Sequence, residues 1–443
     1  MAPSFAVLAR RAAAALATAA VLGAAAAPAA FADSAAPAAA PSPSPAKLPA
    51  GLYGATSPEY DGVWRQSLAL LAQDTVGLRP AASAVDWLTG QQCADGSFAA
   101  FRADPAKPCA AKTMRDTNQT GAAVQALAAL GGHGDAVKKA VGWLKSVQNK
   151  DGGWSSMAGS ASDANSTSVV IGALVAAGEK PAAVTSEEGG KSPFDALLTF
   201  QLGCRAKSAE RGAFAFQPKD GALAPNADAT AAAALGALGE GFVVTPAGKD
   251  TVTPVRPLTC KDGADSQGDD GKGKGSADAG ARKVAAGGAD AYLVAQLDAN
   301  GQHLLSAMPG AEDQPDVGNT ADTVLALAAG AHGAAAQKPL KWLEQHAADW
   351  AKQNGPAAYA QLVLAAHATG TDPRAFGGTD LVAALNATGP APAAGQKQGK
   401  SADAKDTEDS GSGMGIWWVV GVGLAVGAGI GFLLSGRKKK NAL

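Results

Sequence analysis

The fold is indicated most clearly by the stretch Gln148-Asn149-Lys150-Asp151-Gly152-Gly153-Trp154. It continues the segment 141–148, VGWLKSVQ, and a near copy of both stands earlier, where VDWLTGQQ at 85–92 leads into Asp95-Gly96-Ser97-Phe98. The tryptophans of the two copies lie 56 residues apart. Self-similarity at a fixed period indicates an architecture built from repeated supersecondary units.

Weaker copies of the same segment continue along the chain. One contains Leu198, Phe200 and Gln201, and two others read YLVAQ at 292–296 and WLEQ at 342–345. Asn-Gly pairs at 300–301 and 354–355 follow the last two copies, where the earlier copies have their turns. The repeat therefore extends over most of the chain.

A second element follows each turn. It reads DTNQT at 116–120, DANST at 163–167, NADAT at 226–230 and DVGNT at 316–320, and each copy opens a run rich in Ala, Leu and Val. Asp, Asn and Thr at such a position are N-cap residues, because their side chains accept from the first free backbone N–H groups. A helix that is apolar nearly all round is buried on most sides.

Each unit thus pairs one amphipathic helix with one buried helix, and the predicted fold class is all-α. We expect buried helices near 61–73, 118–131, 165–178, 228–239, 319–331 and 356–369. We expect amphipathic helices near 80–92, 136–149, 192–203, 285–298, 337–353 and 379–388. Six of each type allow the two ends to meet, which gives a closed ring that needs no end caps.

These motifs resemble a known family. The stretch 148–154 matches the Gln-x-x-x-Gly-x-Trp repeat of the prenyltransferase and squalene-cyclase repeat proteins, and the resemblance covers about residues 55–389 outside one insertion. It implies an α/α-toroid (α6/α6 barrel). It also implies a structural role for the repeat residues Gln92, Gly96, Phe98, Gln148, Gly152 and Trp154.

The catalytic motifs of that family are missing from this chain. Related cyclases protonate their substrate with Asp-x-Asp-Asp, but the chain has no Asp-x-Asp. Related prenyltransferases hold zinc with Asp, Cys and His, but the five histidines here are scattered and form no ligand pair with a cysteine. No Gly-x-Ser-x-Gly elbow is present either. We therefore predict no catalytic residue and no metal site, and whether the protein is an enzyme stays open, with a non-catalytic role favoured.

The two ends of the chain indicate export and anchoring. Residues 1–32 read as a signal peptide, in which Arg10 and Arg11 precede an apolar run and Ala30-Phe31-Ala32 offers a cleavage site. Residues 416–436 are uncharged and long enough, at roughly 31 Å, to cross a bilayer as a helix. The basic tail 437–443 predicts a cytoplasmic C-terminus and an extracellular domain at the plasma membrane.

The remaining segments complete the predicted domain organisation. Spacers at 33–50 and 390–415 flank the repeat domain 51–389, and a low-complexity loop at 249–281 interrupts it. The even number of cysteines, Cys93, Cys109, Cys204 and Cys260, fits disulfides outside the cell. Three pairings are possible, of which Cys93–Cys109 with Cys204–Cys260 is the most local.

The sequence determines the function less firmly than the fold or the location of the protein. The first hypothesis is a membrane-anchored binding protein that passes a small molecule to a transporter or partner. Its predicted ligand contacts are Asn118, Asn165, Asp228 and Asn319 at the starts of the buried helices, with Tyr359 on the wall of the ring. Helix N-termini suit a polar or anionic group. The competing interpretation is that the first four are ordinary helix caps facing water.

Other interpretations of the function stay open beside the binding-protein hypothesis. A weaker resemblance to the transcobalamin-type binding branch suggests a cobalamin-like ligand, although no β-rich segment follows residue 389. A terpene-cyclase-like enzyme and an adhesion or scaffold module without a small ligand are the alternatives, and no cofactor is indicated.

Nearly balanced charge, with 37 Lys and Arg against 39 Asp and Glu, argues against nucleic acid as a partner. Gly423, Gly427 and Gly431 predict packing of the anchor against a second copy or a transporter.

Overall fold

The structure is a computed structural model that describes residues 48–261, 264–265, 277–306 and 313–393. Within these ranges the regular secondary structure is almost entirely helical, so the predicted all-α class is confirmed. The predicted signal peptide, anchor, basic tail and most of both spacers lie outside the described residues. No helix in the described ranges is both long and apolar enough to span a membrane.

Twelve α-helices follow one another along the described chain, and each has a predicted counterpart. The odd-numbered helices are α1 Gly62–Thr75, α3 Thr117–Leu130, α5 Ala164–Ala176, α7 Ala227–Leu238, α9 Val317–Ala329 and α11 Pro356–Ala368. The even-numbered helices are α2 Ala82–Gly90, α4 Gly134–Ser146, α6 Pro193–Leu198, α8 Ala279–Ala299, α10 Gly333–Asn354 and α12 Leu381–Asn386. Short 3₁₀ turns occur at Pro181–Ala183, Ser208–Glu210 and Pro373–Ala375.

The odd-numbered helices form the buried layer, and their contacts are cyclic. Each packs against the next from α1 through α11, and α11 packs back against α1. Each also contacts the even-numbered helix that follows it. The buried faces are dominated by Ala, Leu and Val, whose small and medium side chains permit close helix approach.

The starts of these buried helices lie side by side. Gln119 in α3 accepts from the Trp64 N–H of α1 at 2.6 Å, and Asn165 in α5 donates to Asp228 in α7 at 2.9 Å. Gln361 in α11 donates to the Gly318 carbonyl of α9 at 3.0 Å. Neighbouring helices therefore begin at the same end of the layer, which gathers their first turns into one region.

The Gln of each repeat links successive even-numbered helices through its side-chain amide. Gln92 Nε2 donates to the Gly96 and Ala136 carbonyls, at 3.0 and 2.8 Å. Gln201 Nε2 makes the equivalent pair to Gly212 and Ala285, at 3.1 and 2.8 Å. Gln148 Nε2 donates to Gly152 at 2.7 Å. Each Gln thus holds its own turn and approaches the backbone that leads into, or lies within, the next even-numbered helix.

The glycines of these turns are required by their surroundings. Gly152 has φ +91°, and an added Cβ would lie 2.2 Å from the Ser192 carbonyl oxygen. Gly96 has φ +93° and would meet the Lys139 carbonyl at the same distance. Only glycine combines a left-handed conformation with so close a backbone approach.

The segment between α7 and α8 is the predicted low-complexity loop, and its boundary differs from the prediction. The loop was expected to run to residue 281, but α8 begins at Ala279, where Asp278 caps it by accepting from the Ala281 N–H at 2.8 Å.

Two short antiparallel pairs complete the described secondary structure, β1 Cys260–Lys261 with β2 Ala264–Asp265 and β3 Leu304–Leu305 with β4 Pro315–Asp316.

Both disulfides have the most local of the three possible pairings. Cys93 is bonded to Cys109, and Cys204 is bonded to Cys260. The second bond attaches the long α7–α8 connection to the turn after α6. Two disulfides fit a protein that folds outside the cytoplasm.

Candidate functional site

The candidate site is built on a repeated pattern at the start of four buried helices. Asp116, Asp163, Asn226 and Asp316 are the N-caps, and each accepts from the backbone N–H three residues later. Four residues after each cap stands a buried threonine whose Oγ1 accepts from a backbone N–H in the preceding turn. These threonines are Thr120, Thr167, Thr230 and Thr320.

The cap position therefore belongs to residues other than the predicted ligand contacts. Asn118, Asn165 and Asp228 stand two residues after their caps, inside the first helical turn. Their side chains do not cap, so the interpretation of these three as ordinary caps is wrong. Asn319 stands three residues after its cap, and Gly318 occupies the equivalent position in α9.

Positions two and six residues after a cap lie on one helix face, because residues four apart are neighbours. This face of α9 and α11 carries polar side chains where the earlier helices have apolar ones. The sixth position is Ala122, Val169 and Ala232 in α3, α5 and α7, but Asp322 in α9 and Gln361 in α11. The side chains at both positions are buried or half-buried.

Carboxylates and amides on this face contact one another across neighbouring helices. Asn165 Nδ2 donates to Asp228 Oδ2 at 2.9 Å, and Gln361 Nε2 donates to Asp322 Oδ1 at 2.6 Å. Asp316 accepts from the Asn319 side-chain amide at 2.7 Å. The cluster of Asn165, Asp228, Asp316, Asp322 and Gln361 is called the mouth cluster below.

The acids of the mouth cluster lie close together and are partly enclosed by protein, and both conditions raise the pKa values of Asp228 and Asp322. Burial raises the pKa of Asp322 to about 7; the Gln361 hydrogen bond opposes this, while the charges of Asp228 and Asp316 add to it. Burial also raises the pKa of Asp228, against the hydrogen bond from Asn165. Asp322 keeps some solvent contact although protein atoms surround it closely. A group that lines a recess has this combination of properties.

Two acceptors in the first turns of α3 and α5 are unused, and one of them belongs to the mouth cluster. The side-chain oxygens of Asn118 and Asn165 are buried and have no hydrogen-bond partner in the described ranges. A buried acceptor without a partner costs roughly 1–3 kcal/mol, so such groups need an explanation. With the three carboxylates, they make this region rich in acceptors and negative charge, which disfavours the anionic ligand that helix dipoles alone would suggest.

Not every predicted contact joins the mouth cluster. The Asn118 side-chain oxygen makes no hydrogen bond to it, and Asn319 reaches it only through Asp316, within its own turn. Tyr359 is half-buried against the core and makes no polar contact within the described ranges. Sequence reasoning missed Asp322 and Gln361, although an aspartate inside the apolar run 317–329 is a signal that could have found the first.

An apolar rim surrounds the starts of the helices. Tyr60, Met114, Met157 and Phe216 are large exposed side chains, and each stands in the segment that precedes α1, α3, α5 or α7. Backbone bonds join these segments to the neighbouring helices, as where the Ala164 N–H donates to the Phe216 carbonyl at 3.0 Å. The acidic recess and the apolar rim therefore lie at the same end of the helices.

Metal binding has no ready ligand set in this part of the molecule. Across the residues that the structure describes, no group of three or more His, Cys, Asp and Glu side chains could hold an ion. The three acids of the mouth cluster act instead as separate hydrogen-bond acceptors.

Comparison with known proteins adds little to this geometry. No family model matches the chain, and no curated protein matches it. Among solved structures, the crystal structure of a protein from Actinoplanes is similar with 14% identity over 72% of this chain and 93% of the other, at a TM-score of 0.40. A likeness of that degree carries no argument about function.

Proposed function

We propose that this protein is an exported α/α-toroid that binds a small molecule in its mouth cluster. The cyclic packing of the six buried helices supports the toroid, because α11 returns to α1 and both layers alternate along the chain. The observation that carries the binding proposal is the meeting of Asn165, Asp228, Asp322 and Gln361 beside unpartnered buried acceptors.

The chemistry of the cluster defines the class of ligand. Carboxylates and amide oxygens accept hydrogen bonds, so the ligand presents N–H or O–H donors or a positive charge. The apolar rim adds a preference for a molecule with an apolar part. A cobalamin-like molecule fits this class, since its peripheral amides carry N–H donors.

The proposal includes the cellular setting predicted from the chain ends. The domain is anchored at the plasma membrane by residues 416–436, with the tail 437–443 in the cytoplasm. The two disulfides support exposure outside the cell. A partner that closes the mouth would contact the apolar rim, and a transporter or a second copy would pack on the face of Gly423, Gly427 and Gly431.

The test is mass spectrometry of small molecules retained by the natively purified full-length protein. We expect one retained species in the wild type, and Asp228→Asn and Asn165→Ala to lower its occupancy by roughly tenfold, as loss of a charged hydrogen bond does. Asp349→Asn, at an exposed carboxylate on α10, is the matched control and should retain the wild-type amount.

The outcome that contradicts the proposal is equally specific. If Asn165→Ala lowers the melting temperature but leaves retention unchanged, the cluster serves stability rather than recognition. The same holds if the wild type retains nothing above the level of the Asp228→Asn variant.

One observation supports an enzymatic second candidate. A carboxyl group with a pKa of about 7 remains partly protonated at neutral pH, and Asp322 has this property. Such an acid could protonate a bound isoprenoid, which is the reaction type of the related cyclases. Turnover of an isoprenoid that disappears in Asp322→Asn while retention persists would favour this candidate over simple binding.

A further inference from the structure

A second polar centre lies away from the mouth, near the end at which the buried helices terminate. A cavity of about 690 Å³ lies among the end of α7, the first half of α8, the residues that follow α9 and the segment 253–259. Its walls include Leu238, Pro254, Arg256, Lys283, Asp290 and His332. The volume falls in the range of small-molecule sites.

Asp290 is the unusual member of this cavity. Its side chain is 1% exposed, and neither carboxylate oxygen has a hydrogen-bond partner in the described ranges. The imidazole of His332 faces this carboxylate, with Nε2 3.4 Å from Asp290 Oδ2. A buried charge is expensive unless it is paired and hydrogen-bonded, so an acid of this kind points to a missing donor.

His332 is held in place from its other side. Its Nδ1 lies 2.8 Å from the Thr253 carbonyl oxygen. A carbonyl only accepts, so the proton on Nδ1 belongs to the histidine, and Nε2 is the atom that faces Asp290. The pair therefore connects α8 with the segment 253–259 and leaves Asp290 Oδ1 without a donor from the described residues.

Gly330 keeps the space beside this pair open. A Cβ at Gly330 would lie 2.5 Å from Asp290 Oδ2 and 2.7 Å from the His332 ring. Its backbone conformation is ordinary, so glycine is needed here for space alone.

The other end of the cavity is positive. Lys283 and Asp290 are seven residues apart in α8, which places them on nearly one face about 10 Å apart. Ala286 and Gly287 lie between them and form a floor of small residues. The exposed side chains of Lys283 and Arg256 form no ion pair with the acids of the described residues.

We propose that this cavity is a second binding site, which takes a small zwitterion with its ammonium group at Asp290 and its carboxylate at Lys283 and Arg256. The apolar walls of Leu238, Pro254 and Val284 contact an aliphatic linker between the two charges. A linker of a few methylenes matches the separation of the charged ends. This site is independent of the mouth cluster.

The probe is 6-aminohexanoate, titrated into the full-length protein by calorimetry, with hexylamine and hexanoate as probes that lack one charge. We expect saturable binding of 6-aminohexanoate that is at least about tenfold tighter than either analogue. Asp290→Asn should weaken it by about tenfold or more, and Lys283→Gln by about threefold because that side chain is exposed.

Two further variants guard against a folding artefact. Val284→Phe fills the cavity from an exposed position and should block binding without loss of the fold. Lys138→Gln, on the exposed surface of α4, should bind as the wild type does. The proposal is overturned by absence of saturable binding, by equal affinity for hexylamine, by binding that persists in Val284→Phe, or by loss of binding in Lys138→Gln.

Discussion

The two halves of the helical domain hold their helices together in different ways. From α1 to α7 the even-numbered helices are joined by the repeat motif, with Gln92, Gln148 and Gln201 bonded to backbone carbonyls. In the second half, glutamines outside the motif make the bonds in the described ranges: Gln337 donates to the Thr369 carbonyl and Gln361 to the Gly318 carbonyl. There, α8 and α10 have 21 and 22 residues, whereas α2, α4 and α6 have 9, 13 and 6.

The two halves differ in how their helices are held together, and therefore in where polar side chains remain available for binding. In the first half the motif supplies directional bonds between successive even-numbered helices, and short outer helices suffice. In the second half long helices supply the contact area, and burial raises the pKa of Asp290 to about 6 and that of Asp322 to about 7. Both are destabilising by themselves, which favours a role in recognition over one in folding.

The largest expected effect tests the turn glycines. Gly152→Ala places a Cβ against the Ser192 carbonyl at positive φ and should lower the free energy of unfolding by roughly 3 kcal/mol. Gly301→Ala, in the second half, is the matched control, since Gly301 also has positive φ but no atom within 4 Å of the added Cβ. It should cost roughly 1 kcal/mol. Denaturant unfolding measures both, and equal losses would remove the distinction between the halves.

A middle-sized effect tests the aromatic residue of the repeat. Trp154 is buried and its Nε1 donates to the Leu144 carbonyl at 2.8 Å. Trp154→Phe reproduces the residue at Phe98 but removes this donor and leaves the Leu144 carbonyl with the longer 3.3 Å bond from the Val147 N–H, at a cost of roughly 1.5 kcal/mol. Trp342→Phe, in the second half, should cost roughly 0.5 kcal/mol, because Trp342 is half-buried and stacks on His303 and His346. Chemical denaturation of both variants decides the order, and a larger loss at Trp342 would contradict it.

The smallest expected effect is a change of pH dependence in the second half. The folded pKa of Asp322, about 7, lies above the unfolded value of about 4, so folding takes up a proton. Its contribution to stability therefore falls as pH rises from about 4 to about 7 and stays low above that range. Asp322→Asn should match the wild type near pH 4 and melt about 3 °C higher at pH 8, a small shift because the remaining solvent contact of Asp322 screens its charge.

The control for that profile is Asp349→Asn, at an exposed residue of α10. Scanning calorimetry from pH 4 to pH 8 should show wild-type slope in this variant and a flatter slope in Asp322→Asn. Parallel profiles for all three proteins would show that Asp322 titrates normally.

Much of the fold was predictable because it depends on local rules. The caps at Asp116, Asp163, Asn226 and Asp316 follow from residue type and from the apolar run behind them. The start of α8 was missed because Ala279-Gly280-Ala281 continues a low-complexity composition, and only the Asp278 side chain, bonded to the Ala281 N–H, marks the helix start.

The candidate sites were less predictable because they depend on contacts between distant residues. The sequence by itself determined the helix pattern, the turn glycines and the positions of Asn165 and Asp228 within the first helical turn. The tertiary structure was needed to show that Gln361 reaches Asp322 across 39 residues, and that Asp290 meets His332 in the wall of a cavity. Periodicity specifies which face of a helix is buried, but the partner of a polar group on that face is set by how the helices pack.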